Sequence, residues 1–124
     1  MKIVLPFLPI STNQAFATNF KTKRRFKSKD YAEFQRLVRV FVKPPCAIPS
    51  SMKLKAHIQI TRNWLTKDKR IKRIDIANYE KTLIDTLSEI LGFEDSQIFE
   101  INMKKIQCDL NREKTEVLIE AIDN

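Results

Sequence analysis

With 124 residues, 23 Lys and Arg against 15 Asp and Glu, and a formal charge of +8, the chain has material for one core and too little for a second. Hydrophobic residues at 43% and charged residues at 31% describe a globular chain, and no apolar run approaches the ~20 residues of a membrane span. Met1 to Leu5 is too short, and interrupted too early by Pro6, to be a secretion signal, so residues 1–124 are expected to form one cytoplasmic domain.

Lys2 to Phe7 alternates with Ile3, Leu5 and Phe7 on one face and predicts a strand, with Pro6 marking an edge position or an early end. Ser11 to Thr22 reads as loop. Ser28 is placed as an N-cap, and Tyr31, Phe34, Val38, Phe41 and Val42 form the apolar stripe of a helix that stops before Pro44-Pro45. Lys53 to Arg62 predicts a half-buried strand, with Leu54, Ala56, Ile58 and Ile60 inward and Lys55, His57 and Gln59 outward. His57, the sole histidine, therefore reads as a surface residue rather than a general base. Cys46 and Cys108 lack metal-ligand spacing and read as a reduced loop thiol and a small core residue.

Two segments concentrate the positive charge. Residues 21–29, KTKRRFKSK, hold six basic side chains and no acid, and residues 62–73, RNWLTKDKRIKR, hold six with one aspartate. Separated basic clusters fit a polyanion, because neutralising phosphates releases condensed counterions. Each cluster carries one aromatic, Phe26 or Trp64, placed either to stack on an unpaired base or to pack into the core.

From Ile76 the apolar residues Tyr79, Leu83, Ile84, Leu87 and Leu91 recur at three- and four-residue steps, which predicts an amphipathic helix. Gly92, the only glycine, supplies the positive φ of a helix stop. Asp85 and Glu89 read as solvated helix positions. Gln97 to Leu110 is a strand whose alternation changes phase between Met103 and Ile106, which a bulge near Lys104-Lys105 would explain. Residues 109–113 read as a hairpin connection to a last strand, Lys114 to Ile122. The expected fold class is α/β or α+β, a single mixed β-sheet of about four to five strands packed with two main helices.

Arg73-Ile74-Asp75-Ile76-Ala77-Asn78-Tyr79-Glu80-Lys81, followed after the helix by Gly92 to Ile98, resembles the core motif of the RusA family of Holliday junction resolvases. That motif reads roughly R-x-D-x-D-N-x-x-K and then G-x-x-x-D-D-x-x-V. Leu5-Pro6 and Pro9 to Asn13 resemble the family's entry motif, and the element order matches over nearly the whole chain. The resemblance implies a homodimeric, Mg²⁺-dependent endodeoxyribonuclease of bacterial or phage origin, acting in DNA recombination and repair. It would bind four-way junctions or other branched DNA and make paired symmetric nicks. Asp75 and Asp95 are then the metal ligands and, with Lys81, the catalytic residues, with Glu94 beside Asp95. The expected DNA surface comprises Asn13, Lys21, Lys23, Arg24, Arg25, Lys27, Lys69, Arg70, Lys72, Arg73 and Asn78.

Mg²⁺ prefers oxygen ligands, and residues 75 and 77, entering a helix from an extended segment, would both point at one site. Position 77, where the family has its second aspartate, is Ala77 in this chain. A methyl group binds no metal, so cleavage by this chain is expected to be lost or severely impaired, and a branched-DNA-binding protein without cleavage is the alternative. The intact Asp75, Asn78, Lys81 and Asp95 fit a recent loss better than long decay. A helix of about fifteen residues spans ~22 Å, so Asp75 and Asp95 can meet only through tertiary packing.

Overall fold

The computed structural model describes residues 1–43, 47–110 and 112–123. Its elements run β1 (Lys2–Leu5), α1 (Thr12–Ala15), β2 (Phe16–Asn19), β3 (Arg24–Lys27), α2 (Lys29–Phe41), β4 (Leu54–Arg62), α3 (Glu80–Leu91), β5 (Ile98–Gln107) and β6 (Lys114–Ala121). Short 3₁₀ turns, Ile76–Tyr79 and Asp95–Gln97, flank α3. The fold is mixed α+β, with a four-stranded sheet in the order β1-β6-β4-β5 and a separate two-stranded sheet of β2 and β3.

Burial explains that order. β4 alternates Leu54, Ala56, Ile58 and Ile60 into the interior, as its sequence predicts, and lies between β5, parallel to it, and β6, antiparallel to it. A parallel neighbour needs a crossover, and the 3₁₀ turn with α3 supplies it. β6 buries Thr115, Val117 and Ile119 and sits between β4 and β1, which ends at Leu5 just before Pro6. The expected β5–β6 hairpin is therefore overturned, because β4 separates the two strands. Of its connection, Asn111 lies outside the described residues.

β5 has no buried residue, as suits an edge strand. Its loss of alternation needs no bulge at Lys104-Lys105: the register slips instead at the strand's start, where Leu54 faces Ile98 and Lys55 already faces Glu100. Cys108, expected in the core, is half-buried at the end of this edge, with its N–H donating to Arg62 O at 2.9 Å. α2 ends at Phe41, before Pro44-Pro45 as expected, while those prolines and the loop thiol Cys46 lie outside the described residues.

Both long helices contribute to the same core. Ser28 Oγ accepts from Tyr31 N at 3.1 Å and caps α2, whose Tyr31, Phe34 and Val38 are buried. Phe41, expected in that stripe, is half-exposed and packs edge-on to Phe7 at 5.7 Å between ring centroids, because it lies on the rim of the last turn. α3 buries Leu83, Ile84, Leu87 and Leu91 and ends at Gly92, whose φ of 77° requires glycine's freedom. Residues 11–22, expected as loop, instead hold α1, β2 and the start of the β2–β3 turn.

Candidate functional site

The segment before α3 enters extended and turns at Asp75, whose Oδ1 accepts from Ala77 N at 3.0 Å and caps the 3₁₀ turn. Ile76 packs toward the core and Tyr79 is buried, while Asp75 and Ala77 face solvent. Two bonds seat the N-terminal segment against this corner: Thr12 Oγ1 donates to Asn78 O at 3.1 Å, and Thr82 Oγ1 donates to Ile10 O. Exposed Asn13 thus lies one residue from the bond to Asn78. Asn78 meets the corner through its backbone, its N–H donating to Asp75 O at 3.1 Å.

Beyond α3, Gln97 is 6% exposed and donates to Pro49 O and Met52 O, while its Oε1 accepts from Glu94 N at 2.8 Å. These bonds fix the turn that carries Asp95. Lys81 Nζ reaches Asp95 Oδ2 at 3.4 Å and Asp85 Oδ1 at 3.1 Å, so one ammonium joins the two halves of the motif. Asp85, expected as a solvated position, is therefore part of this cluster, because four residues along a helix lie on one face. Its hydrogen bond is the leading cause holding the Lys81 ammonium above its ordinary value, with the charge of Asp85 next and Asp95 adding to both. Burial pushes the neighbouring Glu80 carboxyl up. Glu89 does remain at the surface, paired with Arg39 at 3.2 Å. Among the described residues Asp95, not Glu94, forms an ion pair.

The basic residues fall on two projections. Lys23, Arg24, Arg25 and Lys27 lie on the β2–β3 hairpin or its turn, with Lys21, and all five are exposed. The Arg25 guanidinium sits 4.2 Å from the Phe16 ring centroid, and Lys27 Nζ lies 5.4 Å from that of Tyr31. Lys69, Arg70, Lys72 and Arg73 belong to a loop closed by the Leu65–Ile71 bridge and by Lys72 N donating to Trp64 O at 2.9 Å. Of the two candidate stacking rings, Trp64 is a core residue, 4% exposed, its indole N–H shared between Ile60 O and Ile106 O. Phe26 is 51% exposed.

Two cations near this corner lie outside the expected DNA surface. Lys105 Nζ donates to Ile74 O at 2.7 Å and lies 4.7 Å from the Trp64 centroid, and Arg62 Nη1 donates to the Tyr79 hydroxyl at 3.1 Å. Lys105 lies on an edge strand outside any motif, and Arg62, although it opens the basic run 62–73, is the last residue of β4, so only strand pairing exposes their position.

As they stand, these residues do not form a divalent-cation cage. Among the described residues no three His, Cys, Asp or Glu side chains are grouped to hold a metal. One oxygen of Asp75 caps the 3₁₀ turn, one oxygen of Asp95 faces an ammonium, and Ala77 offers none.

Among known families, the model described as Endodeoxyribonuclease RusA matches residues 6–120, taking in both halves of the motif and the hairpin. A search of curated proteins finds no match.

Proposed function

The chain belongs to the RusA endodeoxyribonuclease family, whose activity is Holliday junction resolution, and from that membership we propose that residues 1–124 form one nuclease domain built to resolve four-way DNA junctions. Cleavage is impaired in this chain by Ala77. The observation that carries the reading is the bridge from Lys81 to Asp95, which unites motif halves fourteen residues apart. Nucleases of this family depend on a metal, and Mg²⁺ is the ion that suits an all-oxygen site once residue 77 carries a carboxylate. In that setting Asp75 and Asp95 are the remaining ligands, and Lys81 offsets charge developing on the scissile phosphate.

The basic hairpin and the 65–73 loop hold the DNA backbone, with Asn13 and Asn78 at the corner between them. A homodimer supplies the two centres that paired nicks require, since two-fold symmetry presents identical sites to opposed strands. This setting is the cytoplasm of a bacterium or of a phage-infected cell, in recombination and repair. Among the described residues no helix is long and apolar enough to cross a membrane.

A second reading, a branched-DNA-binding protein that does not cut, is favoured by the exposed methyl of Ala77, which offers a cation no oxygen. One experiment separates the two. Ala77→Asp is expected to confer Mg²⁺-dependent nicking of a synthetic four-way junction, and adding Asp75→Asn is expected to abolish nicking with little change in junction affinity. If Ala77→Asp folds, binds the junction and cuts with neither Mg²⁺ nor Mn²⁺, the non-cleaving reading replaces the nuclease.

A further inference from the structure

The turn of the β2–β3 hairpin presents an aromatic ring to solvent. Phe20 is 92% exposed, the most exposed large hydrophobic side chain among the described residues. The turn that carries it is closed by local bonds: Asn19 Oδ1 accepts from Lys21 N at 3.0 Å and from Thr22 N at 3.4 Å, and Lys23 follows at φ 55°. A lone two-stranded hairpin is marginal in water, yet this one is anchored at its base. Phe16 packs edge-on to Tyr31 at 5.6 Å, and Ser28 donates from N to Ala15 O and from Oγ to Gln14 O. Cross-strand pairing then separates two faces. Phe16, Thr18, Arg25 and Lys27 share the anchored face, and Ala17, Phe26, Asn19 and Arg24 share the other.

We propose that Phe20 stacks on an unpaired or unstacked nucleobase at the branch point of a DNA junction, while the flanking Lys21, Lys23 and Arg24 hold the adjoining phosphates. This rests on the junction-binding reading above and assigns a part of it to one side chain. Charge selects the occupant. An apolar groove on another protein would accept the ring but leave the adjoining cations unanswered, whereas continuous duplex answers the cations and offers no bare base face. A base out of its stack beside phosphates answers both, and ring stacking on such a base tolerates any sequence.

The test uses the full chain with Phe20→Ala, Phe20→Leu and Phe20→Trp, all at a side chain too exposed to support the fold, so thermal unfolding should be unchanged. Ligands are a four-way junction with 2-aminopurine at the branch, the matched linear duplex, and a single strand. Phe20→Ala is expected to weaken junction and single-strand binding about tenfold. Duplex affinity and the dependence on salt should stay the same, because the cations that hold the phosphates remain. The 2-aminopurine emission change seen with the unsubstituted chain should disappear in Phe20→Ala, return in Phe20→Trp and stay absent in Phe20→Leu. Unchanged junction and single-strand affinity in Phe20→Ala overturns the inference. So does Phe20→Leu binding as well as Phe20→Trp, or an effect of Phe20→Ala on sedimentation alone, which would make the ring a contact between copies. An unsubstituted chain with no preference for junction over duplex defeats the junction reading, and the single-strand arm then still decides whether Phe20 stacks on bases.

Discussion

At the scale of single residues, exposure separates side chains packed into the core from those held at the surface. Lys81 is 59% exposed on its side chain, so its pairs with Asp85 and Asp95 add little stability, as expected of solvent-screened ions. Its importance is positional, because it fixes an ammonium between two carboxylates. Trp64 is the reverse case. Although it sits in a basic run, it is packed edge-on to Tyr79 at 6.3 Å between centroids, with its N–H bonded to main-chain carbonyls. Trp64→Ala is expected to destabilise the fold by ~3–5 kcal/mol, as truncation of a buried aromatic does. Urea unfolding measures that loss, and the folded variant should keep the junction affinity of the unsubstituted chain. A selective loss of junction binding without a shift in the unfolding midpoint would return Trp64 to the ligand surface.

At the scale of elements, sequence periodicity does not reveal the β2–β3 hairpin. FATN and RRFK carry no apolar alternation, because these strands pair only with each other and β3 is exposed along its whole length. Register and not burial defines them. Replacing Lys23, Arg24 and Arg25 together by Ala removes three cations from one projection. The expected result is weaker junction binding and a log–log salt slope shallower by about 0.9 for each phosphate that is no longer neutralised. Fluorescence anisotropy across a salt series measures this, and an unchanged slope would make the hairpin a solvated surface. α3, in contrast, is legible in its stripe and its stop, although Ile76–Tyr79, expected as its first turn, is a 3₁₀ turn and the α-helix starts at Glu80. Its stripe predicts its buried face, and Gly92, with no atom within 4 Å of where a Cβ would stand, serves the left-handed stop and not a close contact.

At the scale of the whole molecule, both helices cover one face of the sheet, and the opposite face, with Lys2, His57, Gln59 and Leu118, is left open. Val4 on β1 and Phe99 and Ile101 on the β5 edge add exposed apolar surface. Paired nicking requires two copies, so sedimentation at micromolar concentration is expected to give a dimer, with a second-order shift on dilution. A monomer both alone and with junction DNA would remove the paired-nick mechanism while leaving junction binding intact.

The charge distribution, both long helices with the C-terminal stop of α3, the alternation of β4 and the motif spacing can all be read along the chain. Each of these is written in near neighbours, where a period of two or of 3.6 residues converts directly into a face. It takes the folded arrangement to show that β6 enters between β1 and β4, that Trp64 is core, that Lys105 reaches Ile74 O, and that Lys81 meets both Asp85 and Asp95. Apart from the local Lys81–Asp85 step on α3, these depend on how distant segments return to one another. Strand order is settled by which strand can bury its second side and which must remain an edge. That competition is between whole strands, and no single stretch of sequence contains it.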